Sequence, residues 1–133
     1  MSVPPIVLID DDQAWSEATA DYLRSEGFQV VTAADGEQGL QLLLDQRPQL
    51  AILDAHLPRL GGLEVLRELR RAQLLVQVLM VSADDRSPLI NQAMEEGAVG
   101  FLRKPVAASM LLRAVRRLVH DGTASQNPIA GPS

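Results

Sequence analysis

The chain has 133 residues, about one domain's worth, and its 47% hydrophobic content can fill a core without disulfides, which the absence of cysteine rules out. Aromatics are only 3%, so that core must be built of Leu, Val, Ile and Ala, and a thiolate metal site is excluded. A formal net charge of -5 argues against a nucleic-acid-binding face, and no apolar stretch has the length needed to cross a bilayer.

The opening Met1-Ser2-Val3-Pro4-Pro5 lacks the basic segment and apolar run of a leader, so a cytoplasmic location without membrane contact is the default expectation. Ile6 to Ile9 is a continuous apolar run ending in three aspartates, Asp10, Asp11 and Asp12. Residues 13–26 follow with Trp15, Ala18, Thr19 and Tyr22 at helical spacing, closed by Gly27. Phe28 to Ala33 reads as a second, more alternating strand, and Asp35-Gly36 leads into a helix through Gln46 that Pro48 ends. Leu50 to Leu53 is a third buried strand, Pro58 to Gly62 a loop, and Leu63 to Arg71 a third helix. Val76 to Val81, Pro88 to Glu96, Val99 to Leu102 and Ser109 to His120 complete five strand-helix pairs. One domain over residues 5–120 is expected, with 121–133 as a polar, Gly- and Pro-punctuated tail or linker.

Strict β-α alternation with strands apolar on both faces predicts a parallel sheet covered by helices on each side. The half-polar second strand suits an edge, as in the doubly wound order 2-1-3-4-5. In such a fold the site lies beyond the carboxyl ends of the strands. Those ends carry Asp10 and Asp11, then Asp54, Ser82 and Lys104.

Three carboxylates converging on one edge repel one another unless a cation joins them, and a hard divalent ion such as Mg²⁺ fits all-oxygen donors. Asp10 and Asp11 read as the metal pair. Asp54 is then free to attack an electrophile through one oxygen while the other touches the metal. A phosphoryl group matches this set, because Mg²⁺, the Lys104 ammonium and the Ser82 hydroxyl can share its oxygens. Of 12 basic residues only Lys104 is a lysine, which suits a place where a compact charge is needed and a guanidinium fork is not.

These segments carry a family resemblance. Ile6 to Asp12, then Asp54-Ala55-His56-Leu57-Pro58 with Gly61-Gly62-Leu63, then Met80-Val81-Ser82-Ala83, and finally Gly97 through Lys104-Pro105 resemble, in order, the motifs of response-regulator receiver domains. The similarity covers roughly residues 5 to 120 and implies a chemotaxis-type, flavodoxin-like single-domain receiver with five strands and five helices. It implies Asp54 as phosphoacceptor, Asp11 as a direct metal ligand, and Asp10 as a ligand or water-bridging partner. His56 is expected to offer its backbone carbonyl to the metal. Lys104 is expected to pair first with Asp54 and then with phosphate, and the Lys104–Pro105 peptide to be cis. Ser82 and Phe101 stand at the switch positions, where the family more often has Thr and Tyr. The implied partners are a sensor histidine kinase or phosphotransfer protein and a downstream effector protein or domain. The implied chemistry is phosphotransfer with slow self-dephosphorylation rather than metabolic turnover. The last two helices offer a homodimer contact.

Other readings compete at each position. The three aspartates can be an N-cap with dipole-favoured acids, Ser82 an ordinary loop hydroxyl, the His56 ring a solvated loop side chain, and Trp15 helix packing. An aspartyl phosphatase of the haloacid-dehalogenase type wants Thr where Ala14 stands. A degenerate receiver acting as a binding module would not need the intact acidic set, and neither glycine-rich nucleotide motif occurs.

Overall fold

The computed structural model describes residues 5–125. Five strands alternate with five helices: β1 (Ile6–Ile9), α1 (Gln13–Ser25), β2 (Val30–Ala33), α2 (Gly36–Gln46), β3 (Leu50–Leu53), α3 (Gly62–Arg71), β4 (Gln77–Ser82), α4 (Ser87–Glu95), β5 (Gly100–Arg103) and α5 (Ala108–Ser125). The strands are all parallel in the order β2-β1-β3-β4-β5, as the sequence pattern predicts.

The order follows from which strands can be buried on both faces. β1 and β3 contain no polar residue and are buried along their whole length, so they occupy the middle of the sheet. β2 leaves Thr32 exposed and takes one edge; β5, with Arg103 exposed, takes the other. Alternation along β1 divides the core in two. Ile6 and Leu8 pack with Ala20 and Leu23 of α1 and Leu111 and Val115 of α5. Val7 and Ile9 pack with Leu43 of α2, Val65 and Leu69 of α3, and Ala93 of α4. Truncating one such buried leucine to alanine costs about 2–5 kcal/mol, so either layer is enough to fix the helices onto its face.

Element boundaries differ from the sequence reading where a turn takes residues away from a strand. Phe28 was expected to begin β2, but its N–H donates to the Leu23 carbonyl at 3.1 Å and closes the end of α1, with Gly27 at φ 99° between them. β4 and β5 each lie one residue later than expected, so Ser82 is the last residue of its strand. α5 runs through Ser125 instead of stopping at His120, which places the first residues of the expected tail within the helix. A single glycine such as Gly122 costs only about 1 kcal/mol in a helix, too little to end one by itself. Residues 126–133 of the expected tail lie outside the described residues.

Two glycines hold the loop after β3 close to the sheet. A Cβ at Gly62 would collide with the Asp54 carbonyl, and one at Gly36 with the Leu60 carbonyl. The backbones meet there: Gly36 N–H donates to the Pro58 carbonyl at 3.2 Å and Gly62 N–H to the Ala55 carbonyl at 2.9 Å. The loop following Asp54 is thereby tied both to α2 and to the start of α3.

Candidate functional site

Parallel strands with their crossover helices deliver all their carboxyl ends to one edge, and there the predicted side chains meet. Asp10 follows β1 with its N–H donating to the Ala33 carbonyl at 3.0 Å, and Asp54 follows β3 with its N–H donating to the Ile9 carbonyl at 3.0 Å. These bonds extend the sheet by one residue and fix where both carboxylates emerge. Ser82 ends β4, and Lys104 follows β5 with its N–H on the Ser82 carbonyl at 2.9 Å. The Lys104–Pro105 peptide is cis, as the resemblance implied.

One oxygen each of Asp10, Asp11 and Asp54 lies within 4.8 Å of the others, the only such group of potential ligands among the described residues. Asp10 is 2% exposed and Asp54 9%, whereas Asp11 faces solvent. Burial pushes the Asp10 carboxyl above its ordinary value of 3.8, although the Lys104 hydrogen bond and the Asp12 N–H pull the other way. For Lys104 burial is the largest single influence and works against the charged form, yet the hydrogen bonds and charges of Asp10 and Asp54 together outweigh it and raise the ammonium above 10.5. Three carboxylates facing one ammonium leave an excess of negative charge with oxygen donors only, a set that fits a hard divalent cation.

Asp12 does not join the cluster. It caps α1, its carboxylate accepting the Trp15 N–H at 3.1 Å, so the N-cap reading holds for this aspartate and not for its two neighbours.

Lys104 departs from the expectation that it pairs first with Asp54. Its Nζ lies 2.6 Å from Asp10 Oδ2 and 3.5 Å from Asp54 Oδ2. The ammonium settles on the more deeply buried carboxylate, which has the most to gain from a counter-charge. Asp54 keeps a lighter set of partners, with the His56 N–H on Oδ1 at 3.1 Å. Ser82 is 1% exposed and its hydroxyl accepts the Asp84 N–H at 3.2 Å. Phe101 is partly buried on β5 against the core layer under α2, α3 and α4.

The loop after β4 holds residues that the sequence did not single out. The His56 ring is solvated as expected, its side chain 61% exposed, but its Nε2 also lies 2.7 Å from Asp84 Oδ2. Arg86 grips the same carboxylate through Nε at 2.8 Å and Nη2 at 2.6 Å, and Arg103 of β5 reaches Asp85 at 2.8 Å. Arg86 and then His56 hold the Asp84 carboxyl far below the ordinary range. The Asp84-Asp85-Arg86 run was the available signal, but mixed charges in a loop do not name a partner 28 positions away. Trp15 was read as packing; it also stacks on Lys104, with the ammonium 4.4 Å from the ring centroid.

Residues 6–116 match the family model of the response regulator receiver domain. The chain belongs to this family. Receivers are the signalling modules of two-component systems, and the relatives fit that assignment. The chain is 38% identical over 120 residues to the transcriptional regulatory protein AfsQ1 of Streptomyces coelicolor, covering 90% of this chain and 53% of that protein. It is 32% identical to the probable C4-dicarboxylate response regulator DctR of Bacillus subtilis, covering 84% of this chain and 50% of DctR. The chain thus spans about half the length of these curated relatives. Among solved structures it resembles a CheY-like receiver from Methanospirillum hungatei at TM-score 0.87 and 26% identity, covering 92% of this chain and 98% of the other. The receiver of NtrX from Brucella abortus aligns at TM-score 0.79 and 30% identity, covering 86% and 98%. No helix among the described residues of this receiver is long and apolar enough to cross a membrane.

Proposed function

We propose that Asp54 is the phosphoacceptor of this receiver, working with Mg²⁺ held by Asp10, Asp11, Asp54 and the His56 backbone carbonyl. The observation that carries the reading is the placement of Asp54. Its carboxylate shares one edge with two further aspartates on one side and with Lys104 and Ser82 on the other. One Asp54 oxygen attacks phosphorus, forming an O–P bond as the bond from phosphorus to the donor nitrogen breaks, and the leaving imidazole takes up a proton. Bound Mg²⁺ supplies neutralisation of charge on the phosphoryl oxygens. Lys104 moves from Asp10 to a second oxygen, and the Ser82 hydroxyl donates to a third once it turns away from the Asp84 N–H.

The donor is a sensor histidine kinase or a phosphotransfer protein, and the output is read by an effector protein or domain. The protein is a cytoplasmic switch with slow self-dephosphorylation and no metabolic turnover. The net charge of -5 speaks against direct nucleic-acid contact by these residues. A switch of Ser82 and Phe101 would be read at α4, β5 and α5, where Met94, Val99 and Met110 are exposed, and a second copy of the chain is one partner that this apolar surface suits.

Acetyl phosphate with and without Mg²⁺, followed by intact mass, tests the assignment. A labile gain of about 80 Da that needs Mg²⁺ and is absent in Asp54→Asn is the expected result. No adduct, and no beryllofluoride complex at saturating Mg²⁺, would instead make this a receiver fold that binds partners unmodified.

A further inference from the structure

We propose that Trp15 is a positioning residue for Lys104, its indole face holding the ammonium within reach of both Asp10 and Asp54; this rests on the reading of Lys104 as a phosphoryl partner. Trp15 is the chain's one tryptophan. Its place in space is set by Asp12, whose carboxylate takes the Trp15 N–H and fixes the first turn of α1 beside the acidic pair. Across from it Lys104 arrives from the end of β5, and its ammonium lies 4.4 Å from the ring centroid.

An ammonium has three hydrogens to place. Here one direction is taken by Asp10 at 2.6 Å, another opens on Asp54 at 3.5 Å, and the ring face covers a further side, leaving the Lys104 side chain 15% exposed. A carboxylate in place of the ring would add charge to a cluster that already has three, and would draw Lys104 away from the phosphoryl position. An aliphatic side chain would exclude water without attracting the cation. The π face attracts the charge without a directed acceptor atom, so the ammonium can pass from Asp10 toward Asp54 while remaining under the ring.

Trp15 also packs against the layer beneath α1 and α5 and lines a shallow apolar groove with Ala18, Tyr22, Val106 and Leu111. A purely structural role must therefore be separated from a positioning one. The measurement is the rate of acetyl-phosphate modification at saturating Mg²⁺, by intact mass and corrected for folded fraction from urea curves. It is made on the wild type, Trp15→Phe, Trp15→Leu, Lys104→Met and the Trp15→Leu/Lys104→Met double variant. Trp15→Phe, which keeps a π face, is expected within about twofold of wild type, and Trp15→Leu about three- to tenfold slower. In the Lys104→Met background Trp15→Leu is expected to have no further effect, because the ring acts through the ammonium. An unchanged rate in Trp15→Leu, or the same loss with and without Lys104, would overturn the proposal and leave Trp15 as packing. A Lys104→Met protein modified at the wild-type rate would overturn instead the assignment of Lys104 itself.

Discussion

Two charge clusters in this receiver have similar distances and different surroundings. At the strand ends, Lys104 meets Asp10 at 2.6 Å among side chains that are almost wholly covered. On the helical surface, Glu96 takes Arg67 and Arg70 at 2.9 Å each and joins α3 to the end of α4 with the guanidinium groups in solvent. Water screens the second cluster, so its geometry says little about its worth. In the first, burial disfavours the charge on Asp10, and the Lys104 bond only partly relieves that cost. Charge left short of partners at a buried edge is available to a cation and a phosphoryl group, while charge fully paired on a wet surface is available to nothing in particular.

That contrast can be broken most forcefully at Asp10. Mg²⁺ at a hundredfold over its Kd should stabilise the wild type by about 2.7 kcal/mol in urea unfolding. In Asp10→Asn the negative charge of one proposed ligand is gone, and the Mg²⁺-dependent shift in midpoint should largely disappear; an undiminished shift would place the metal elsewhere. A smaller effect is expected at Lys104, where Lys104→Arg keeps the charge but brings a planar fork too wide for the gap between Asp10 and Asp54. Beryllofluoride affinity, titrated by fluorine NMR, should fall about tenfold in that variant. Retention of full affinity would show that charge alone is needed.

The smallest effect belongs to the surface cluster. Arg67, with Arg70 behind it and burial opposing, lowers the Glu96 carboxyl from its ordinary 4.5. Its folded value lies below its unfolded one, so the contribution is present above pH 4.5 and fades as pH falls through the lowered value. Glu96→Gln should therefore shift the urea midpoint slightly at neutral pH, less at acid pH, and not at all in 1 M salt, where the Debye length is about 3 Å. A large, salt-insensitive shift would mean that the two clusters differ less than their exposure suggests.

Much of this was legible because the signals are local. Ile6-Val7-Leu8-Ile9 and Leu50-Ala51-Ile52-Leu53 are apolar at every position, which only a strand covered on both faces can use, and each ends in the acid that the edge displays. Lys104 was conspicuous as the one lysine among arginines. Phe28 was misplaced because a β-prone residue after Gly27 reads as strand until the helix-closing bond to Leu23 is seen. The partner of His56 and the stacking of Trp15 could not be read, since both join loops or helices that meet only when the sheet has assembled.

The sequence by itself determined the alternation of elements, the middle strands and the acids, hydroxyl and lysine at their ends, because hydrophobic period and turn chemistry act between near neighbours. Only the tertiary structure decided that Lys104 rests on Asp10 before Asp54, that Asp84 is shared by His56 and Arg86, and that Trp15 roofs the ammonium. The first depends on which of two carboxylates is the more deeply buried, and all three join side chains far apart in the chain that meet only once the sheet and its loops have packed.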